Sequence, residues 1–362
     1  MATIPFIQCK IFPVEQTADY LEKRFIKHLR LLRSGLVGQP AHEVELLGVD
    51  NQELHETRIT HLERSRIQKR VKKLIARRQE ASGMGHLQRD ERERLTALAG
   101  GVRLATVKTE HQADEIAAAL HDEMPWMGPA TEQVWRAMRR SVREGSIGLR
   151  LPPILLDGPP GIGKSFWARR LGRLLTVPTT VIEATNENAS FGVVGSQRGW
   201  GSAGPGRLIS TILMEHVGNP VMVVDEVEKS GTATSMSGRA FGLSEALLPL
   251  LEPLTARSWS CPFYQVKFDM SWVIWVLTSN NYHALPEPLL SRCPPISLRA
   301  LTTDELVMFI WREGRRQGTS DVALDAAVEA FKRAGQASQP SLRTAARVLQ
   351  RAADLECHPT LH

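Results

Sequence analysis

Gly158-Pro159-Pro160-Gly161-Ile162-Gly163-Lys164-Ser165 comes one residue after the apolar run Ile154-Leu155-Leu156 and has the spacing G-x-x-x-x-G-K-[ST]. That is the pattern of a phosphate-binding loop between a strand and a helix. Three glycines let the backbone turn so that successive N–H groups converge on phosphate oxygens, and the helix that follows presents its positive end to the same point. The expected cradle is therefore Gly158, Pro159, Pro160, Gly161, Ile162, Gly163, Lys164 and Ser165, with Lys164 reaching the outer phosphates of a nucleoside triphosphate and Ser165 a magnesium ion.

Further along, Val221-Met222-Val223-Val224-Asp225-Glu226 is an apolar strand that ends in two carboxylates. Asp225 is the expected magnesium partner beside Ser165. Glu226, one position on, is placed to orient or deprotonate an attacking water, which is too poor a nucleophile to react unaided. A third apolar run, Trp272-Val273-Ile274-Trp275-Val276-Leu277, leads into Thr278-Ser279-Asn280-Asn281, and an amide at such a strand end can contact both the terminal phosphate and the water. Arg292 closes the short proline-started segment Pro286-Glu287-Pro288-Leu289-Leu290-Ser291-Arg292.

Taken in order, these segments resemble an AAA+ ATPase, and most closely the ATPase module of the Lon family. The resemblance runs from about Glu110 to the C-terminus and is carried by Pro125-Trp126, the phosphate loop, Val223 to Lys229, Leu277 to Asn280, Pro286 to Arg292, and Ser341-Leu342-Arg343. It implies ATP and Mg2+ as ligands and a homo-oligomer, a hexameric ring. By the same resemblance Asn280 is the sensor-1 residue, Arg292 an arginine finger reaching the neighbouring subunit's nucleotide, and Arg343 the sensor-2 arginine of a helical lid. Gln197 to Arg207, rich in glycine, resembles the Lon segment in which an aromatic residue grips unfolded polypeptide in a central pore, and Trp200 stands at that position. A large flat side chain on a glycine loop grips by contact area rather than by matched hydrogen bonds. Ser230 to Gly238 falls where a second pore loop would lie. Lon proteases continue into a domain with a serine–lysine dyad; these residues contain no such domain, so no protease activity is expected.

The chain has 362 residues and a formal net charge of +6. Its four cysteines, Cys9, Cys261, Cys293 and Cys357, lie far apart with no C-x-x-C pair, which argues against a disulfide framework and a zinc site and points to a reducing cytoplasm. No apolar run approaches the roughly 18 residues of a membrane span, and the first ten residues do not read as a signal peptide. Between Arg58 and Gln79 the cations Arg64, Arg66, Lys69, Arg70, Lys72, Lys73, Arg77 and Arg78 crowd one expected helix, whose apolar stripe is Leu62, Ile67, Val71, Leu74 and Ile75. A second polar helix is expected over about 88–98.

The resulting fold class is α/β: a P-loop core with a parallel sheet over 110–299, a C-terminal α-helical lid over 300–362 that opens on the capping-box pattern Thr302-x-x-Glu305, and a basic, largely helical accessory region over 1–109. Tyr264 to Asp269 alternates in polarity, as an added hairpin strand would. Two functions stay open at this level. One is a ring motor that threads or remodels a protein substrate; the other is a DNA-associated ATPase bound through the basic N-terminal region, in replication, transposition or defence.

Overall fold

The computed structural model describes residues 2–13, 16–33, 59–185, 189–199, 203–230, 232–234, 240–335 and 341–357. They fall into two compact units: Met1–Ile7 together with Gly100–His362, and Gln8–Ala99. The accessory region expected over 1–109 thus gives up both its ends. The reason is a strand pair. β1 (Ala2–Ile4) runs antiparallel to β2 (Val102–Leu104), with Ala2 opposite Leu104 and Ile4 opposite Val102, which binds the first residues to the larger unit. Gly101 allows the join: its φ is +84°, and a β-carbon there would sit 2.2 Å from the Ile4 carbonyl oxygen.

The larger unit is organised on a parallel sheet of β3 (Ile154–Asp157), β4 (Thr179–Glu183), β5 (Val221–Asp225), β10 (Ile274–Ser279) and β11 (Pro295–Ser297), in the spatial order β11-β3-β10-β5-β4. Between β5 and β10 lie two small antiparallel ribbons, β6 (Thr232–Thr234) with β7 (Ala240–Gly242), and β8 (Trp259–Ser260) with β9 (Lys267–Phe268). Helices cover the sheet, so its middle strands read as unbroken apolar runs. All six residues of β10 are buried, as are Val221 to Val224. The strand ends that carry the polar residues, Asp157, Asp225 and Ser279, lie at the same edge because all five strands point one way: Ser279 pairs with Asp157, and Leu277 with Val224.

Two local expectations are revised. The run beginning at Trp272 starts its strand at Ile274, because Met270 to Val273 is taken up by a turn closed by Val273 N–H on the Met270 carbonyl. In exchange Thr278 and Ser279 belong to the strand. The alternating segment Tyr264 to Asp269 pairs only through Lys267 and Phe268, since Gln265 adopts φ +51° and breaks the extended run.

Three segments are tied by a side chain that nothing in its sequence context advertises. Asn219, fully buried, accepts from Ala105 N–H at 2.9 Å and donates to the carbonyls of Ala105 and Leu149 at 3.0 and 3.1 Å. Its amide thereby makes every bond that burial would otherwise leave unsatisfied. Trp167, also fully buried, meets the same demand by donating its indole N–H to Thr131 Oγ1 at 3.1 Å. The lid opens as expected. Thr302 caps the helix Thr303–Gln317 in a full capping box with Glu305, and Glu305 also receives Arg299; that guanidinium is the main reason its carboxyl lies below the usual range.

In the smaller unit the helix His61–Ser82 starts at a capping box between Thr60 and Glu63 and stops at Gly83, φ +73°. Leu21 on the helix Ala18–Arg33 packs with Ile67 and Val71, and Phe25, Ile26, Leu29, Leu74 and Ile75 close over them. Leu62 does not join this core and is 73% exposed. Five residues separate it from Ile67, about 500° of helical rotation, which turns it to the far side. A third helix, Arg89–Thr96, occupies the middle of the polar stretch expected there.

Gly101→Ala should loosen the β1–β2 pair, because the substitution meets both a positive φ and a backbone oxygen. The expected loss is about 2 kcal/mol or more. Thermal unfolding should show a midpoint lowered by several degrees, while Gly100→Ala, with nothing within 4 Å of its would-be β-carbon, stays close to the parent. Equal midpoints for the two variants would contradict this account of the join.

Candidate functional site

The phosphate-loop residues link β3 to the helix Lys164–Leu175. Gly161 and Gly163 have φ of +78° and +94°, conformations that side-chain-bearing residues rarely hold, so the glycines are needed for the backbone path itself. Gly158 is required for space: a β-carbon there would lie 2.6 Å from the Leu298 carbonyl oxygen. The loop is buttressed from below by Trp126, buried, whose indole N–H donates to the Ile162 carbonyl at 2.8 Å.

Lys164 is 7% exposed. Its ammonium donates to the carbonyls of Gly158 and Pro159 at 2.5 and 3.1 Å and to Asn280 Oδ1 at 2.9 Å. Burial pushes its pKa down, against the opposing pull of Asp157, Glu228, Asp225 and Glu226. Those acids are the counter-charge a buried ammonium needs.

Asp225 uses both oxygens. Oδ2 accepts from Ser165 Oγ at 2.9 Å, and Oδ1 accepts from Thr278 Oγ1. The two expected magnesium residues are thus neighbours. Glu226 leaves the strand at φ +55°, a costly conformation for a residue with a β-carbon, and its N–H is caught by Thr278 Oγ1 at 3.0 Å. Its carboxylate accepts from Asn280 Nδ2 at 3.3 Å and from Lys229 Nζ at 2.9 Å. The phosphate loop, the acid pair and Asn280 therefore form one connected group. The donor set fits a magnesium-bound triphosphate: a hydroxyl and a carboxylate side by side for the ion, and a flexible ammonium with glycine backbone for the phosphates.

Arg292 and Arg343 stand apart from that group. Arg292 ends the helix Glu287–Arg292, donates to the Pro288 carbonyl at 2.9 Å and lies 3.7 Å from Glu252. Arg343 is exposed on the first turn of the helix Leu342–Cys357. The lid itself does reach the loop: Leu342 N–H donates to the Gly161 carbonyl at 3.1 Å. Trp200 lies outside the described residues, and so do 231 and 235–238 of the expected second pore segment.

Thr278 and Glu228 belong to the site although their roles were not assigned from sequence. Thr278 was visible only as a polar residue at an apolar strand's end, and Glu228 as one more acid in Val223 to Lys229. Cys261 and Cys293 are buried, the latter thiol pushed up to about 12 by desolvation, so neither is poised as a thiolate.

A strand–loop–helix cradle facing an acid pair and a strand-end amide is the arrangement of a phosphate-loop fold. Residues 154–299 match the profile of the ATPase family associated with various cellular activities (AAA), and the chain carries an AAA ATPase domain there. It is similar to Lon proteases over the ATPase region. Against Lon protease homolog 2, peroxisomal, of Oryza sativa subsp. indica, it is 32% identical over 165 residues, 46% of this chain and 18% of the relative. The Lon protease of Heliobacterium modesticaldum is 33% identical over 165 residues, with 20% of its length covered. The mitochondrial Lon protease homolog of Candida albicans is 30% identical over 172 residues, with 16% covered. The chain thus spans about a fifth of the length of these relatives. Their names include peroxisomal and mitochondrial forms, and among the described residues no helix is long and apolar enough to cross a membrane.

Lys164→Ala should weaken nucleotide binding at least about tenfold, since it removes a charge-assisted contact to phosphate. Glu226→Gln should bind nucleotide as the parent does and lose roughly two to three powers of ten in turnover, because a group that orients water acts in the transition state. Titration with a fluorescent ATP analogue and a phosphate-release assay separate the two effects. Parent-like turnover in Glu226→Gln would remove the residue from the reaction.

Proposed function

We propose that this chain is a Mg2+-dependent ATP-hydrolysing ring motor that threads or remodels a protein substrate. The observation that carries the hydrolytic part is the connected group in which Asp225 holds Ser165 while Glu226 and Lys164 share Asn280. In this reading Gly158 to Lys164 hold the phosphates, and Ser165 and Asp225 hold magnesium, which when bound neutralises phosphate oxygens. Glu226 orients water and takes its proton. Asn280 contacts the terminal phosphate and the water, and ATP and water become ADP and phosphate.

Arg292 acts across a subunit boundary, and Arg343 belongs to the lid's contribution. What supports the first is that Arg292 hydrogen-bonds within its own helix and forms a 3.7 Å ion pair with Glu252 rather than reaching its own phosphate loop. A ring, hexameric as in the family reading, follows from an active site that needs its neighbour. The substrate reading leans on Trp200 within its glycine segment and on the similarity to Lon proteases. It includes no proteolysis by these residues, since that similarity falls on the ATPase region. The cytoplasmic placement rests on the cysteine pattern.

One observation favours the second reading, a DNA-associated ATPase. Arg66, Lys69, Arg70, Lys73 and Arg77 are all exposed, and at about 100° per residue they share one arc of the helix His61–Ser82, opposite its apolar stripe. Such a stripe matches a phosphate backbone.

Arg292→Ala and Glu226→Gln subunits should each be nearly inactive alone, the first by about three powers of ten or more. Mixed, they should recover activity, because Glu226 of the first then faces Arg292 of the second. No recovery in rings that demonstrably co-assemble would refute the shared site. Trp200→Ala should keep basal hydrolysis and lose stimulation by an unfolded protein. Charge reversal at Lys69, Arg70, Lys72 and Lys73 should leave that stimulation intact. Salt-sensitive DNA binding that stimulates turnover, is lost on the charge reversal and survives Trp200→Ala would transfer the proposal to the DNA reading.

A further inference from the structure

Asn280 is gripped twice by an acid outside the hydrolytic pair. Glu228 Oε1 accepts from the Asn280 main-chain N–H at 3.0 Å and from its Nδ2 at 3.0 Å. On the other side of the amide, Oδ1 accepts from the Lys164 ammonium at 2.9 Å. This fixes which way the amide points. Turned over, it would set its oxygen against carboxylates and its NH2 against an ammonium, losing a hydrogen bond and gaining repulsion at each end.

Glu226 also touches Nδ2, but its contact is longer, 3.3 Å, and it is drawn aside by Lys229 at 2.9 Å, on a residue that is half exposed. Glu228 has no such competitor among the described residues. Its second oxygen, Oε2, is buried without a hydrogen-bond partner. Keeping a carboxylate oxygen in that condition costs stability, a cost that the two bonds to Asn280 do not require, since a neutral acceptor could make them.

We propose that Glu228 is a positioning residue for hydrolysis: by clamping the main chain and the amide of Asn280, it fixes the orientation in which that amide meets the terminal phosphate and the water. Glu228 does not touch the reacting atoms and acts through Asn280. The inference rests on the hydrolytic reading of Asn280 given above and adds the residue that makes Asn280 effective. Glu226 is left free to turn toward water because Glu228 carries the duty of holding the amide.

Glu228→Ala should lower kcat by about 10- to 100-fold, the scale of a misplaced contact group, and leave nucleotide affinity within about threefold. Glu228→Gln, which keeps an acceptor at the same reach, should recover much of the loss; Glu228→Asp, one methylene shorter, should not. Asn280→Ala should also lose turnover, and adding Glu228→Ala to it should cost little more, because both changes remove one device. Independent, multiplying losses would overturn the proposal, as would parent-like kcat in Glu228→Ala. If Asn280→Ala itself turns over normally, the hydrolytic reading fails instead. A readout free of activity is hydrogen exchange in the nucleotide-free full chain: Glu228→Ala should raise exchange at the Asn280 amide by tenfold or more with an unchanged melting temperature. Unchanged protection there, or a lowered melting temperature with affinity and kcat falling together, would mean that Glu228 is only structural.

Discussion

A lysine ammonium drawn into the protein beside four carboxylates is the constraint on which the site is built. Burial works against the charge of Lys164, and Asp157, Glu228, Asp225 and Glu226 sustain it. The acids come from the ends of two strands and the turn after one of them, and the register of the sheet brings those ends to one side. The strand order supplies this. β10 lies between β3 and β5, which sets Thr278 and Asn280 between the loop that carries Lys164 and the strand that carries Asp225. Thr278 is the seam: its hydroxyl donates to Asp225 and accepts from the Glu226 N–H. Burying the Lys164 charge with none of these acids nearby would be expensive, and four of them share that task.

The parts of this that could be read from sequence are those with their own local signature. The glycine spacing specified the loop because only glycine can follow its path. The apolar runs specified β3, β5 and the body of β10 because a covered parallel strand has little room for polar residues. Thr302 and Glu305 specified the start of the lid because their spacing caps a helix wherever it falls. Thr278, Glu228 and Asn219 carry no such mark. Each acts through partners more than fifty positions away, and only the folded sheet brings them together. Leu62 failed for the opposite reason: it looks like core by type, and its place on the helix turns it to water.

In the smaller unit one apolar seam joins the helices Ala18–Arg33 and His61–Ser82. Arg33 reaches Glu63 and Arg64 reaches Glu22 across that seam, which ties the helices by exposed pairs worth little individually. The two helices are therefore held chiefly by Leu21, Ile67, Val71 and the side chains around them. The charge on the opposite arc of the helix His61–Ser82 contributes nothing to holding the unit together, so it can be altered without cost to the fold.

Gly161 and Gly163 do more than shape the phosphate loop. A β-carbon on Gly161 would come 3.0 Å from Ser341 Cβ, and one on Gly163 would come 3.1 Å from Leu342 Cδ1. The lid's last helix begins in the space those missing side chains leave, and its Leu342 N–H bonds to the Gly161 carbonyl. The loop and the lid are thereby geared together like two toothed wheels in mesh. A side chain at either glycine would therefore meet the first turn of the helix Leu342–Cys357 as well as strain the loop's own backbone.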